Sequence, residues 1–247
     1  MSLSETEVYI ISWPRPNVEQ NAAHIAGVLA GQSRQVNVIY STADESSRSG
    51  PGNWIQVSDA KYYGLKFKEI LQHSSGRRFL QIHADALHDD WPGILKRFDD
   101  HCDANRFAGV WAPDVNHTVW ETPEVMIAKS NDAMAFVAQT DCTVWGLTQQ
   151  VITRLKQFNY AENNFGWGID WAAISYCYVN NLTVVRDLSS VVVHPRGSSY
   201  PNHQAGMQQN AFLRQLTAQE KLAYRLLTTF VDHKKADHKN QMARGVR

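Results

Sequence analysis

Two periods alternate along the first hundred residues. Val8–Trp13 (VYIISW), Val36–Ser41 (VNVIYS), Trp54–Val57 (WIQV) and Phe79–Ile82 (FLQI) are short apolar runs bounded by proline, glycine or polar clusters, which predicts strands. Between them, Ala22, Ile25, Ala26 and Leu29, and then Leu65, Ile70 and Leu71, recur at helical spacing. This predicts helices over Val18–Ala30 and Tyr62–His73, the second ended by Ser74-Ser75-Gly76. Asp90 reads as the N-cap of a further helix with Pro92 in its first turn, running to about Cys102. A β-α-β-β-α-β order predicts an α/β fold with a mostly parallel sheet.

The second half is less regular. Phe107–Ala112 and Ala135–Gln139 read as strands flanking a long aromatic segment from Pro113 to Pro123. A helix is expected over Thr148–Phe158, another over Trp171–Val179 after NFGWGID, then two close strands ending in SVVVHPRGSS. Thr217-x-x-Glu220 is a capping box ahead of Leu222, Leu226, Leu227 and Phe230. The expected organisation is a domain over 1–202 with halves at 8–105 and 106–202, a helical extension over 203–233, and a tail over 234–247. Five basic residues oppose one acidic residue in that tail. A solvated, disordered end is the expectation, with contact to an anionic membrane surface as the sharper alternative.

Composition narrows the class. With 43% hydrophobic and 19% charged residues the chain is globular rather than disordered. Lysine plus arginine equal aspartate plus glutamate at 24 each, which argues against a nucleic-acid partner held by bulk charge. Cys102, Cys142 and Cys177 are dispersed and odd in number; they form neither a disulfide framework nor a zinc knuckle and fit a reducing compartment. No apolar run approaches the ~20 residues that span a bilayer and no signal-peptide pattern opens the chain, so a cytoplasmic protein is expected. Of the eight tryptophans, Trp111, Trp120 and Trp167 fall at a strand end or in loops, where aromatic rims suit carbohydrate.

The chemistry gathers in three segments: Gly76 to Asp85 (G-x-x-F-L-x-I-H-A-D), Phe165 to Asp170 (F-G-W-G-I-D) and Val191 to Gly197 (V-V-V-H-P-R-G). In this order the chain, over roughly Val8 to Ser199, resembles the GT-A-type nucleotide-sugar glycosyltransferases. The resemblance implies a GT-A-like nucleotide-diphospho-sugar transferase fold, with a mixed, mostly parallel central sheet flanked by helices. It also implies transfer of a sugar from a nucleotide-diphosphate donor, UDP by family frequency, to a glycan or other hydroxyl acceptor. His83-Ala84-Asp85 stands where the family carries D-x-D, so Asp85 is the implied metal ligand, His194 the second, and His83 a ligand to ribose or metal. The cofactor is then a divalent cation, Mn²⁺ or Mg²⁺, since hard cations favour carboxylate oxygen and Mn²⁺ also accepts imidazole. The departure at His83 removes one negative charge.

Ser12 and Pro14, at the end of the first strand, would flank the nucleotide, and Asp44 would accept from its base. Lys61 and Lys66 could neutralise phosphate. Asp170 is the implied general base of an inverting reaction, at a helix N-terminus whose N–H groups would keep it ionised. Trp171 follows it where the family commonly has a second acid, and Glu162 is the reserve carboxylate. Trp167, Trp111 and Trp120 are the expected acceptor contacts, with the Pro113–Pro123 segment as a lid.

Two other functions fit the same residues. His83, Asp85, His88 and Asp89 form a dense cluster that a metallohydrolase could use, with His117, His194 or His203 completing it. Alternatively, the departures at His83 and Ile169 suit a catalytically inactive nucleotide-sugar-binding module. A nucleotidylyltransferase would carry a glycine- and arginine-rich loop after the first strand, and PRPNVEQ has one arginine and no glycine.

Overall fold

Val8 and Ile10 pack into one apolar cluster and Tyr9 and Ile11 into another, all fully buried. Side chains that alternate between two buried faces are the signature of a central strand covered on both sides. A computed structural model places this strand, β1 (Ser4–Ile11), inside one sheet of nine strands. The structure describes residues 3–243 except 45, 117 and 196–200, and no side chains of 241–243.

β1 leads through α1 (Pro16–Leu29) to β2 (Ser33–Tyr40) and β3 (Asn53–Gln56), then through α2 (Tyr63–His73) to β4 (Arg78–His83). β3, β2, β1 and β4 lie side by side and parallel, as the hydrophobic pattern predicts. α1 buries Val18, Ala22, Ile25, Ala26 and Leu29, its predicted stripe. α2 ends at Ser74, and Gly76 follows at φ 85°, a conformation that favours glycine. Asp90 caps α3 (Trp91–Ala104) by accepting from the Gly93 N–H at 2.8 Å.

The second half holds β5 (Ala108–Asn116), a single turn α4 (Thr122–Val125), β6 (Met126–Lys129), β7 (Met134–Val137) and β8 (Val144–Thr148). α5 (Gln149–Leu155), α6 (Ile169–Val179), β9 (Thr183–Val193), α7 (Asn202–Leu213) and α8 (Ala218–Ala243) complete it. The strand order is β3-β2-β1-β4-β8-β5-β9-β7-β6, with β8 antiparallel to both β4 and β5. β5 pairs parallel with β9, which bulges between Asp187 and Val191. α1 and α3 cover one face; α2, α5, α6, α7 and α8 pack on the other.

Three expectations are corrected. The two close strands before His194 are one strand, β9. The Pro113–Pro123 segment is not one long loop: β5 continues through Asn116 against β9 and α4 begins at Thr122, which leaves only residues 118–121 among the described ones outside regular structure. The tail is not a free end: α8 runs on through Ala243, with Lys235 donating to the Val119 carbonyl at 3.1 Å and His238 lying 3.4 Å from Glu124. Residues 244–247 of that tail lie outside the described residues. The cysteines are free, and no described helix is long and apolar enough to cross a membrane.

Candidate active site

His83 ends β4 beside Ile11 of β1, so it lies at the carboxyl edge of the parallel strands, where open α/β sheets bind ligands. The chain then turns through Ala84, Asp85 and Ala86. Asn21 of α1 donates to both the Ala84 and Ala86 carbonyls at 2.8 Å, fixing the turn. Leu87 and Val193 exchange backbone hydrogen bonds of 2.8 and 3.0 Å. That bridge ties the turn to the end of β9 and brings His194 alongside.

As a result Asp85 Oδ1 lies 3.4 Å from His194 Nε2, and ligand atoms of His83, Asp85 and His194 all fall within 4.8 Å of one another. Asp85 Oδ1 and His83 Nε2 are buried without a hydrogen-bond partner. The His83 ring is held edge-on by Trp13 at 5.1 Å and Tyr63 at 5.0 Å. Burial pushes its imidazole down to about 4, so it is neutral near pH 7 with a lone pair to offer. Burial alone would raise Asp85, but the His194 and His83 imidazoles outweigh it and hold the carboxyl below its usual range. A carboxylate oxygen facing one imidazole at 3.4 Å, beside a second, neutral imidazole with a buried unpartnered nitrogen, is a donor set a divalent cation fits.

The four-residue H-x-D-x-x-H-D cluster does not close. His88 turns away, with one ring nitrogen accepting from the Asp90 N–H at 2.9 Å and the other 2.9 Å from Ser190 Oγ, and Asp89 is exposed. His117 lies outside the described residues, as does Gly197 of the V-V-V-H-P-R-G segment.

Asp170 sits in the first turn of α6, entered through Gly166 (φ 83°) and Gly168 (φ 89°). A Cβ on Gly166 would fall 2.3 Å from the Tyr63 ring and 2.9 Å from the Gly64 backbone N, so the turn can pack there only with glycine. Gln139 Nε2 donates to Asp170 Oδ2 at 2.9 Å. The helix N-terminus does not keep this carboxyl fully ionised, contrary to expectation. Burial outweighs the backbone N–H groups and the carboxyl rises to about 7, with Asp141 pushing the same way.

Asp141 and Arg186 went unmarked in the sequence. Asp141 lies in the turn between β7 and β8 and accepts from Thr118 Oγ1 at 2.7 Å and from the Thr143 N–H at 2.8 Å. Thr143 in turn offers its carbonyl to the His83 N–H, so the Asp141 turn adjoins the cluster. The Asp141 charge acts on His83, His194, Asp170 and Arg186. Arg186 is 1% exposed; its Nη1 bonds the Trp120 carbonyl and Thr122 Oγ1, while its Nε and Nη2 are buried without partners. An acid in the polar turn TDCT ahead of an apolar run was the available signal for Asp141. An arginine inside an apolar strand was the signal for Arg186.

The remaining expected residues divide. Ser12 is buried at the end of β1 with Oγ unpaired, and Pro14 follows half-buried. Beneath them the fully buried Lys66 donates to the Ser12 carbonyl at 2.6 Å and Ser41 Oγ at 2.9 Å, and desolvation lowers its ammonium to about 7. Lys61 pairs with Glu69 at 2.6 Å. Asp44 is exposed, bound to Ser46 and 3.5 Å from Arg48. Trp167 is half-buried beside the Asp170 turn, and Glu162 is exposed.

Trp111 and Trp120 are not free acceptor contacts. The pleat of β5 turns Trp111 to the α3 face, fully buried with its ring centroid 5.7 Å from Phe98. Trp120 meets Trp171 edge-on at 5.6 Å and carries Lys235 4.2 Å over its ring, so the protein itself occupies it. Trp171 is buried against Trp120 and Tyr224 and takes no place in the site.

No protein-family description matches the sequence, and no curated protein matches it. Solved structures do. GalNAc-T7 with UDP, GalNAc and Mn²⁺ superposes with a TM-score of 0.62 at 7% identity over 89% of this chain, which spans only 49% of that one. UDP-glucose pyrophosphorylase with UDP-glucose gives 0.52 at 10% identity, covering 86% of this chain and 100% of the other. TarS 1–349 of S. aureus also gives 0.52 at 10% identity, over 93% and 81%. At such identities the likeness speaks for architecture: the chain has the GT-A-like nucleotide-diphospho-sugar transferase fold.

Proposed function

We propose that the protein is a glycosyltransferase that moves a sugar from a nucleoside-diphosphate donor, UDP favoured, to a hydroxyl on a glycan acceptor with inversion. The observation that carries this reading is the convergence of Asp85, His83 and His194 at the carboxyl edge of the sheet, with Asp141 acting both on that cluster and on the Asp170 carboxyl, which is raised to about 7. The nucleoside would lie over Ser12 and Pro14. Asp85 and His194, with His83 as a third ligand or ribose contact, would hold a divalent cation, which would supply positive charge at the departing diphosphate. Asp170 takes the proton of the acceptor hydroxyl as that oxygen attacks the anomeric carbon; its carboxyl is ionised for part of the molecules near neutrality. Gln139 orients the base through Asp170 Oδ2. Trp167, next to the same turn, offers an indole for the acceptor sugar.

The UDP, GalNAc and UDP-glucose named in the solved structures support the class through the shared fold, and the fold also serves a pyrophosphorylase. Release of nucleoside diphosphate from a panel of UDP- and GDP-sugars with Mn²⁺ tests the reading, with release of CMP from CMP-sugars as the outcome that would point to a monophosphate donor instead. Turnover of one donor, lost in EDTA and in Asp85→Ala, is the expected result. Formation of nucleoside triphosphate from sugar nucleotide and pyrophosphate would instead identify a nucleotidylyltransferase, and donor binding without turnover an inactive module.

A further inference from the structure

His83 stands where a D-x-D pair would place a second carboxylate, so Asp85 is the single acid among the three ligands of the cluster. A charge need not lie in the ligand shell to hold a cation, because Coulomb attraction falls only as the first power of distance. The turn between β7 and β8 brings such a charge, on Asp141.

Residues 139–143 are fastened to both parts of the site. At one end the fully buried Gln139 donates to Asp170 Oδ2 at 2.9 Å. At the other, the Cys142 carbonyl accepts from Gln81 Nε2 at 2.6 Å and the Thr143 carbonyl from the His83 N–H at 2.8 Å, both on β4. Asp141 closes the turn between them. Its Oδ1 accepts from the Thr143 N–H at 2.8 Å and its Oδ2 from Thr118 Oγ1 at 2.7 Å. Thr118 is itself held, since its hydroxyl oxygen accepts from the Trp120 N–H at 3.1 Å. The Trp120 carbonyl in turn accepts from Arg186 Nη1 at 2.8 Å. A carboxylate with both oxygens bonded has one orientation, so its charge has one place.

That charge reaches His83 and His194 as well as Asp170. A negative field at two imidazoles draws a cation to them. Tyr63, Cys142 and Tyr224 also face Asp170, but burial keeps the thiol and both phenols protonated. We propose that Asp141 is a positioning residue that supplies, from outside the ligand shell, the negative charge missing at His83, and that Thr118 locks it in place. The inference rests on the Asp85 cluster holding a divalent cation, and not on which group is transferred.

The test is Mn²⁺ binding to the full chain without nucleotide, read from the paramagnetic resonance of the free ion. Wild type, Asp85→Ala, Asp141→Asn and Thr118→Val are compared, with a melting curve for each. Asp85→Ala should abolish binding, and the near-isosteric Asp141→Asn should weaken it about tenfold with the melting temperature little changed. Thr118→Val, which keeps the charge and frees one oxygen, should weaken it less. In metal-free protein followed by carbon NMR, the Asp170 carboxyl should titrate at lower pH in Asp141→Asn, because a like charge is gone. Equal Mn²⁺ affinity in wild type and Asp141→Asn, or an unmoved Asp170 titration, would overturn the proposal and leave the Asp85 site standing. Should Asp141→Asn not fold, wild-type affinity in Thr118→Val would overturn it. Wild type that binds no Mn²⁺, or binding indifferent to Asp85→Ala, would remove the cation reading and the proposal with it.

Discussion

Leu87 and Val193 form an antiparallel bridge across 106 residues of sequence, and it decides where the chemistry sits. Asp85 lies two residues before Leu87 and His194 one residue after Val193. The bridge therefore carries a carboxylate and an imidazole from opposite halves of the chain to within 3.4 Å. Weakening it without touching either ligand should separate them. Leu87→Pro removes the donating N–H and is expected to weaken Mn²⁺-dependent nucleotide binding about tenfold or more, with Asp85 and His194 present. Calorimetric titration of wild type and variant checks this.

Asp170 predicts a pH dependence of two kinds. Its carboxyl titrates near 7, so transfer should rise with pH up to about 7 and then level. Asp170→Asn should lower the rate by roughly 10²–10⁴. Stability runs the other way. The folded value lies above the unfolded one of 3.8, so the contribution of the protonated acid is complete below pH 3.8 and is lost as pH rises through about 7. The melting temperature of Asp170→Asn should therefore exceed that of wild type by a margin growing between pH 4 and 7 and constant above.

Lys66 predicts another window. Burial lowers its ammonium from 10.5 to about 7, so the unfolded chain binds the proton more tightly. Its contribution to stability is full above pH 10.5 and is lost as pH falls through about 7. Against Lys66→Met, wild type should gain in melting temperature between pH 7 and pH 10. A flat difference would place the ammonium in a more hydrated setting than its two hydrogen bonds indicate.

Glu220 joins the extension to the core. It closes the capping box with Thr217 and forms a two-pronged pair with Arg154 at 2.7 and 2.8 Å, 2% exposed. Glu220→Ala leaves a half-buried guanidinium without its carboxylate, though still bonded to Gln157 and the Gln215 carbonyl, and should cost about 3 kcal/mol in a denaturant melt.

Local patterns revealed what local physics decides. The four parallel strands, the helix stripe of α1 and the Asp90 cap were legible because each is written in consecutive residues. The capping box was legible for the same reason. β8 was missed because four buried residues and Thr148 run directly into α5, and period alone cannot separate a short buried strand from a helix start. Its insertion between β4 and β5 is a long-range pairing that no window contains. Trp111 was misplaced because a tryptophan at an assumed strand end reads as a rim residue. β5 continues four residues past the expected end at Ala112, which puts Trp111 mid-strand on the buried side. Asp141 carried no motif, and its importance comes from the turn beside His83. The tail was read from charge alone, whereas contacts with α4 and Trp120 hold it in α8.

The most direct measurement is a thermal-shift series of wild type, Asp85→Ala and Asp170→Asn with UDP, GDP and CMP, each with and without Mn²⁺. A site at Asp85 predicts that one nucleotide stabilises wild type and Asp170→Asn only when Mn²⁺ is present, and that Asp85→Ala loses the effect. Stabilisation indifferent to both metal and Asp85, or no nucleotide-dependent shift at all, would contradict it.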